Sequence, residues 1–435
     1  MPSLSPSWNI GSVSKEVVLA YPRIDVLRPT PPYPVWLLAT NLIKAGYRPM
    51  ILDERLCDGR EDFLQRIRDA ASRRPLFTGF SCSMAPQLVL AESYRRSLEE
   101  IGYPGPWAVG GIFASILPSD AAERRLFRGS GFQILSYGHS FDTVVDICRA
   151  IEGKISIMSV RGISYLTSSG EVVRTEPREF PSYLPVPDYD LIDVGRYVYD
   201  EDIFIGRLVR SFSLYTSTGC SYGCRFCLNA RERRWVGQSS EEVLTQIRYL
   251  HDRHRVEYIG LIDDNPLLNP NRMLKVFRAL DREGLDIKFY MDIAIPQILS
   301  NWFDEIAPRL AKVFVGAESG SEKILKLVAK HQNVSMIKEA VKVLDSKGVA
   351  ARFSFLRKVP EEEADDVAGT MSLVDWIKRN HSNCAIQLAD WMPIYETPLY
   401  MQHREHLTED QARLAESGQV YIEDVWTSQK YREVM

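Results

Sequence analysis

Three of the seven cysteines fall in one short segment, Ser217-Thr218-Gly219-Cys220-Ser221-Tyr222-Gly223-Cys224-Arg225-Phe226-Cys227. CxxxCxxC spacing on a glycine-bearing loop lets three thiolates each hold one iron of a cubane cluster and leaves the fourth iron open. A zinc site needs four closed ligands, or three and a water, usually from two CxxC-like pairs or Cys/His sets. No second pair occurs here. Zinc, or three unrelated thiols, stand as the alternatives to a cluster. Cys57, Cys82, Cys148 and Cys384 lack ligand spacing and read as small core residues. The odd count in a long chain argues against a disulfide framework.

A scaffold must position these thiols. The 435 residues suggest two or three domains of about 150 residues each. Apolar residues make up 45% and charged residues 25%, the composition of a globular chain. Lys and Arg number 53 against 57 Asp and Glu, so the formal charge of -4 gives no electrostatic case for nucleic acid as a partner. No run approaches the roughly 18 apolar residues of a membrane span. The opening MPSLSPSWNIGSVSKEVV does not read as a secretory signal, so the cytoplasm is the expected compartment.

Short apolar runs at 16–21, 50–53, 77–82, 107–111 and 133–137 read as strands. They alternate with helical patterns at 35–45, 62–73, 87–101 and 141–151, which predicts a parallel sheet covered on both faces. Residues 1–150 are therefore expected to form a doubly wound, Rossmann-like domain. Residues 151–205, with the Pro-bearing run EPREFPSYLPVPDYD, read as a linker with one hairpin. From 206 to 400 a second alternation begins. Strands near 211–217, 257–263, 286–292, 312–317, 350–356 and 384–391, with helices at 239–254, 270–283, 335–347 and 363–379, predict a partial (β/α)6 barrel. Its chemistry belongs at the C-terminal ends of the strands. Residues 401–435 read as a polar helical segment.

In this setting the cysteine segment resembles the radical S-adenosylmethionine (SAM) superfamily, whose partial barrel carries CxxxCxxC after its first strand. The resemblance implies that Cys220, Cys224 and Cys227 hold a [4Fe-4S] cluster shielded by Tyr222 and Phe226. The open iron then binds S-adenosylmethionine, whose one-electron cleavage gives a 5′-deoxyadenosyl radical. Asp263, Asp264 and Asn265 end the second barrel strand, where the family places polar groups toward the methionine amino group; carboxylates accept ammonium protons strongly. The same trio suits a solvated turn with helix-capping Asp and Asn. Val315-Gly316-Ala317-Glu318-Ser319-Gly320-Ser321 resembles the family's GxESGS segment and offers Glu318 and Ser319 to the ribose or methionine. Arg352 and Ser354 on the fifth strand are candidates for the carboxylate and ribose, with a structural ion pair the alternative for Arg352.

An α/β domain ahead of such a barrel is a recurrent arrangement in the cobalamin-binding branch of the superfamily. Pro31-Pro32-Tyr33-Pro34-Val35-Trp36-Leu37-Leu38, Phe80-Ser81-Cys82-Ser83-Met84, Ala108-Val109-Gly110-Gly111 and Leu184-Pro185-Val186-Pro187-Asp188-Tyr189-Asp190 resemble that branch. Ligands bind such sheets beyond the strands' carboxyl ends, which makes Ser81, Ser83, Met84, Gly110, Gly111 and Gly138 the cobalamin candidates. A bare tight turn is the other reading of the Gly-Gly pair. Departures exist. No Asp-x-His-x-x-Gly occurs, so a histidine below cobalt is not expected; residues 55–58 or Met84 would approach that face. The branch's Gly-Glu-Gly-Glu is Tyr137-Gly138-His139-Ser140 here, its Gly-Leu-Pro-Gly-Glu is Lys358-Val359-Pro360-Glu361-Glu362, and its Tyr-Pro-Gly-Thr-Pro-Leu-Tyr is Ile394-Tyr395-Glu396-Thr397-Pro398-Leu399-Tyr400. A similar domain that has lost its cofactor is the alternative to bound cobalamin.

The resemblance leads to the expectation of a cobalamin-dependent methyltransferase acting on an unactivated carbon. Radical cyclisation, rearrangement or isomerisation is the second expectation, and a cluster-bearing scaffold the third. Expected partners are a small-molecule or short peptide substrate and an external one-electron reductant such as flavodoxin or ferredoxin. Little chain follows the barrel, which favours the small substrate. Asp292, Gln387, Asp390, Trp391 and Tyr395 near strand ends are substrate-facing candidates. Arg231, Arg233 and Arg234 suit an anionic substrate or an exposed loop, and His139 is the one histidine singled out for test.

Overall fold

The computed structural model describes residues 5–8, 14–23, 30–83, 85–99, 102, 105–112, 124–202, 208–409, 411, 412 and 415. In the first half, strands β1 (Glu16–Tyr21), β2 (Arg48–Asp53), β3 (Thr78–Ser81), β4 (Trp107–Gly110) and β5 (Ile134–Ser136) run parallel in the order 2-1-3-4-5. Helices α1 (Tyr33–Lys44), α2 (Arg60–Ser72), α3 (Ala85–Ser97) and α4 (Thr143–Ile151) accompany them. β1 is buried from Val17 through Tyr21, as a strand packed on both faces requires. Strand order reverses between β1 and β3, so the crevice beyond their carboxyl ends is the ligand position of such a sheet.

The hairpin expected between 151 and 205 forms, but it does not stand apart from the sheet. β6 (Ile163–Leu166) pairs antiparallel with β5, and β7 (Val172–Arg174) with β6. Ile163 and Tyr165 are wholly buried against Val144, Ile147 and Ile134, which explains why the hairpin stays on the sheet.

The second half is a curled sheet of β8 (Tyr199–Asp202), β9 (Leu208–Leu214), β12 (Tyr258–Leu261), β13 (Lys288–Ile293), β14 (Leu310–Glu318), β15 (Ala350–Arg357) and β16 (Cys384–Asp390). The last six are parallel neighbours in chain order, and β8 lies antiparallel on the β9 edge. Helices α5 (Ser240–His254), α6 (Pro270–Arg282), α7 (Val334–Ser346) and α8 (Ala364–Asn380) cover the outside. α5 starts on a capping box in which the Ser239 hydroxyl accepts from the Glu242 N–H, and Asn269 and Asn333 cap α6 and α7. Phe212, Leu214, Ile259, Phe289, Met291, Val313, Val315 and Phe353 pack into the core under these helices. The alternate residues Ser213, Tyr290, Asp292, Arg352, Ser354 and Gln387 therefore belong to the inner face.

The expected first barrel strand at 211–217 is cut short at Leu214. Ser217–Gly219 forms β10, antiparallel to β11 (Trp235–Gly237), and together they close residues 220–234 into a loop. The two halves share a core: Tyr33, Trp36 and Leu37 of α1 lie in the barrel's apolar cluster. The Tyr33 hydroxyl donates to the Ser213 carbonyl at 3.0 Å, and the Trp36 indole to the Asp188 carbonyl at 2.7 Å. Among the described residues no helix is long and apolar enough to cross a membrane. Most of the expected helical segment 401–435 lies outside the described residues.

Candidate functional site

The cysteine loop emerges from the carboxyl end of β9, and its base is fixed by a buried carboxylate. Asp263, with no exposed side-chain surface, accepts from the Thr216 N–H at 2.7 Å and from the Thr216 and Ser217 hydroxyls at 2.6 Å each. The Arg272 guanidinium stands 3.7 Å away and donates to the carbonyls of Thr216, Gln238 and Pro266. This corrects the expectation that Asp263 meets a ligand amino group: all of its surface is spent on the turn. Asp264 is exposed and accepts the Gly219 N–H at 2.7 Å. Gly219 has φ +80, and a Cβ there would collide with the Arg234 carbonyl and the Phe180 ring. Asn265 is buried; its side-chain oxygen accepts from Gln297 at 2.9 Å.

Along the loop, the Cys227 N–H donates to the Cys224 carbonyl at 3.0 Å, and the Arg225 N–H to the Val328 carbonyl at 2.9 Å. Phe226 anchors the loop against the satellite core of Ile324, Val328, Val359, Trp391 and Leu399, and Tyr222 lies 5.8 Å from the His331 ring. Burial raises the thiols of Cys220 and Cys224 and pushes Cys227 up to about 12. Cys220 feels the charge of Cys224, and Cys227 that of both, so the three thiols lie near one another. No three His, Cys, Asp or Glu side chains among the described residues converge on one ion position. Three thiols at this spacing with no partnering histidine suit one thiolate per iron of a cluster.

Around the mouth, Glu318 at the end of β14 pairs with Lys330 at 2.7 Å. Ser319 is fully buried, 3.1 Å from the Thr370 hydroxyl, and has no surface for a nucleoside, a second correction. Arg352 and Ser354 of β15 lie on the inner face, and so do Asp292 and Gln387. Burial pushes the Asp292 carboxyl up to about 7, with Asp264 and Asp263 adding to the rise and Lys330 opposing it. Asp390 is instead paired with Arg357 and Lys358 at 2.7 and 2.6 Å, Trp391 is buried under Phe226, and the Tyr395 ring packs against Tyr400. Arg231 pairs with Glu396, and the Arg233 guanidinium lies over Gly223.

With this geometry in place, residues 214–374 match the Radical SAM superfamily model. That part of the chain is a radical SAM domain. Over 240 residues the chain is 28% identical to an uncharacterized methyltransferase of Pyrococcus horikoshii, covering 53% of this chain and 50% of the relative. It is 22% identical over 397 residues to the anaerobic magnesium-protoporphyrin IX monomethyl ester cyclase of Cereibacter sphaeroides, 86% of this chain and 61% of that one. The chain therefore spans between half and two thirds of these relatives. The solved structure of the radical S-adenosylmethionine methyltransferase TsrM from Kitasatospora setae superposes with a TM-score of 0.70 at 17% identity, over 90% of this chain and 76% of that one. At that identity the likeness is one of fold, and it spans the first domain as well as the radical SAM domain.

The first domain reaches the cysteine loop through the turn after β5. Phe180, from the Pro-rich run, touches Gly219 on one side and on the other the His139 ring, 4.8 Å away in the loop after β5. His139 Nε2 stands 3.8 Å from a Glu232 carboxylate oxygen of the cysteine loop. Gly138 has φ +71, and among the described residues nothing lies within 4 Å of where a Cβ would sit. Gly111 is explained differently from the expectation: at φ +107 its Cβ would collide with the Cys82 backbone, so the glycine admits the neighbouring strand rather than a ligand. Ser81 is buried, and the Ser83 N–H donates to Gln87 at 2.8 Å. Gly110 packs beside Ser136, and Met84 lies outside the described residues. Arg55 is held by Asp53 between the Tyr21 and Tyr197 rings, and Cys57 bonds the Asp53 carbonyl, so neither is free below a cofactor. Lys330, Arg272 and Phe180 escaped the sequence reading; only Phe180, an aromatic inside a polar Pro-rich run, left a local signal.

Proposed function

We propose that the chain is a radical S-adenosylmethionine enzyme that holds a [4Fe-4S] cluster on Cys220, Cys224 and Cys227 and cobalamin beyond the strand ends of its first sheet, and methylates an unactivated carbon of a small molecule or short peptide. The observation that carries this reading is the contact between the loop after β5 and the cysteine loop, made through Phe180 between His139 and Gly219. It sets the cysteine loop beside the crevice in which a methyl carrier would lie. The Pyrococcus horikoshii relative supports methyl transfer. When bound, the cluster supplies the electron that breaks a sulfonium bond and cobalamin supplies the methyl group.

The chain's own groups bind and orient. Asp264, already accepting one backbone N–H, keeps lone pairs for an ammonium. Arg352 and Ser354 project from the inner face, where a carboxylate and hydroxyls would meet them. Ile262, 40% exposed at the end of β12, and Phe226 present apolar surface that keeps water from a reactive centre. The electron would come from an external one-electron reductant of the flavodoxin or ferredoxin kind.

Anaerobic reconstitution with iron, sulfide and hydroxocobalamin tests the proposal. About four irons per chain, corrin absorbance that survives gel filtration, and 5′-deoxyadenosine after reduction are expected. An iron-free protein, or one that leaves S-adenosylmethionine intact, refutes it. The Cereibacter sphaeroides cyclase, matched over 86% of this chain, favours a second reading in which the radical closes a ring. A loaded cluster without corrin, and a product of unchanged carbon count, would select that reading.

A further inference from the structure

We infer that Lys330 is the counter-charge of the cluster pocket, a largely buried ammonium oriented by Glu318 that makes the site easier to reduce. The inference rests on the cluster assignment above and adds to it a residue that sets the electron affinity of the site.

Lys330 Nζ lies 2.7 Å from Glu318, with side-chain exposures of 14% and 8%. The same ammonium sits 6.0 Å from the Phe226 ring, inside the cysteine loop. Burial works against its charge, but Glu318 and Cys224 outweigh burial and hold it above the ordinary lysine range. It also feels Cys227, and both Asp292 and Tyr222 feel it in turn. Lys330 thus carries its charge close to Cys224, Cys227 and the Asp292 carboxylate, with Arg233 a second cation beside Cys224.

The surrounding chain is shaped around this pair. Glu318 has φ +63, a left-handed conformation that is costly for a residue with a Cβ and persists only where the surroundings impose it. Gly316 leaves the space empty: a Cβ there would collide with the Glu318 carboxylate and lie 2.7 Å from Lys330 Nζ. Gln332 donates to the carbonyls of Gly316 and Ala317 at 3.1 and 2.9 Å and pins the strand end beneath. Ala329 at φ +52 turns the chain so that the Lys330 N–H meets the Leu325 carbonyl at 3.0 Å, and Val328 of the same turn accepts the Arg225 N–H. The backbone that bears the lysine is therefore bonded to the backbone that bears the thiols.

Three thiolates on a cubane leave a net negative site, and an added electron makes it more so. A fixed cation in a low-dielectric pocket favours the reduced form. Glu318 plays the opposite part: it orients the ammonium and offsets some of its field. No bond is made or broken; one electron passes from the external reductant to the cluster.

The test is an EPR-monitored redox titration, with dithionite as reductant and no S-adenosylmethionine or substrate, of reconstituted wild type, K330Q, K330R and E318Q. K330Q should lower the equilibrium constant for reduction about tenfold, equal to about 59 mV for one electron. E318Q should shift it the opposite way, and K330R should stay within about twofold of wild type. Shifts of the same sign in K330Q and E318Q, or none, would overturn the inference in favour of a merely structural ion pair. Should K330Q fail to take up iron, the E318Q shift decides alone, an unchanged potential being the contrary result. A wild type that assembles no cluster refutes the functional reading instead, so the two failures are distinguishable.

Discussion

Removing charge from Asp263 should unsettle the turn that leads into the cysteine loop, through Arg272. The carboxylate and guanidinium face each other at 3.7 Å, with side-chain exposures of 0% and 4%. At an effective dielectric of about 20, that separation corresponds to about 4 kcal/mol of attraction. Breaking one side of such a pair strands a buried charge and costs about 3–5 kcal/mol. Asp263→Asn leaves Arg272 as an uncompensated cation; Arg272→Met additionally orphans the Thr216, Gln238 and Pro266 carbonyls. Each single variant should therefore lower the unfolding free energy by about 3–5 kcal/mol in urea titrations. The double variant should fall short of their sum by about 1–3 kcal/mol. Additivity within about 0.5 kcal/mol, or singles costing less than about 1 kcal/mol, would show that the pair does not hold the turn.

Asp292 predicts a pH dependence. Its carboxyl is raised to about 7, so the stability it contributes is present below the unfolded value near 4 and lost as pH rises through 7. Asp292→Asn should remove that decline, a difference of at most about 4 kcal/mol at pH 8, read from urea midpoints across pH 5–8; parallel curves would count against it. Gly111→Ala should destabilise the apoprotein by well over 1 kcal/mol, because the Cys82 backbone stands in the way. Gly138→Ala should cost only about 1–2 kcal/mol for its positive φ, and thermal melts giving equal losses would contradict the contrast. Cys224→Ala should abolish iron uptake and 5′-deoxyadenosine formation while shifting apoprotein stability by about 1 kcal/mol; turnover by that variant would exclude the cysteines as ligands.

The strands and helices were legible because parallel strands covered on both faces are written as short apolar runs, and helices as 3.6-residue patterns between them. Cysteine spacing located the loop for the same reason: ligands on one short loop must be close in sequence. What resisted reading depends on partners far along the chain. Asp263 looks like a ligand-facing acid until Arg272, Thr216 and Ser217 are seen to consume it. Ser319 is taken up by Thr370, 51 residues away. Lys330 gains its meaning only from Glu318 and the thiols, and nothing local distinguishes it from a surface lysine. The shortening of the first barrel strand was hidden because Ser217–Gly219 finds its partner in Trp235–Gly237, across the loop itself.

That small ladder has a consequence for how the protein ages. Since the loop begins and ends on paired strands, its two ends are tied together by backbone hydrogen bonds and not by metal. Loss of iron to oxygen should then leave that tie in place, unlike the zinc-dependent peptides that fold only around their metal, and the same molecule should take up iron again.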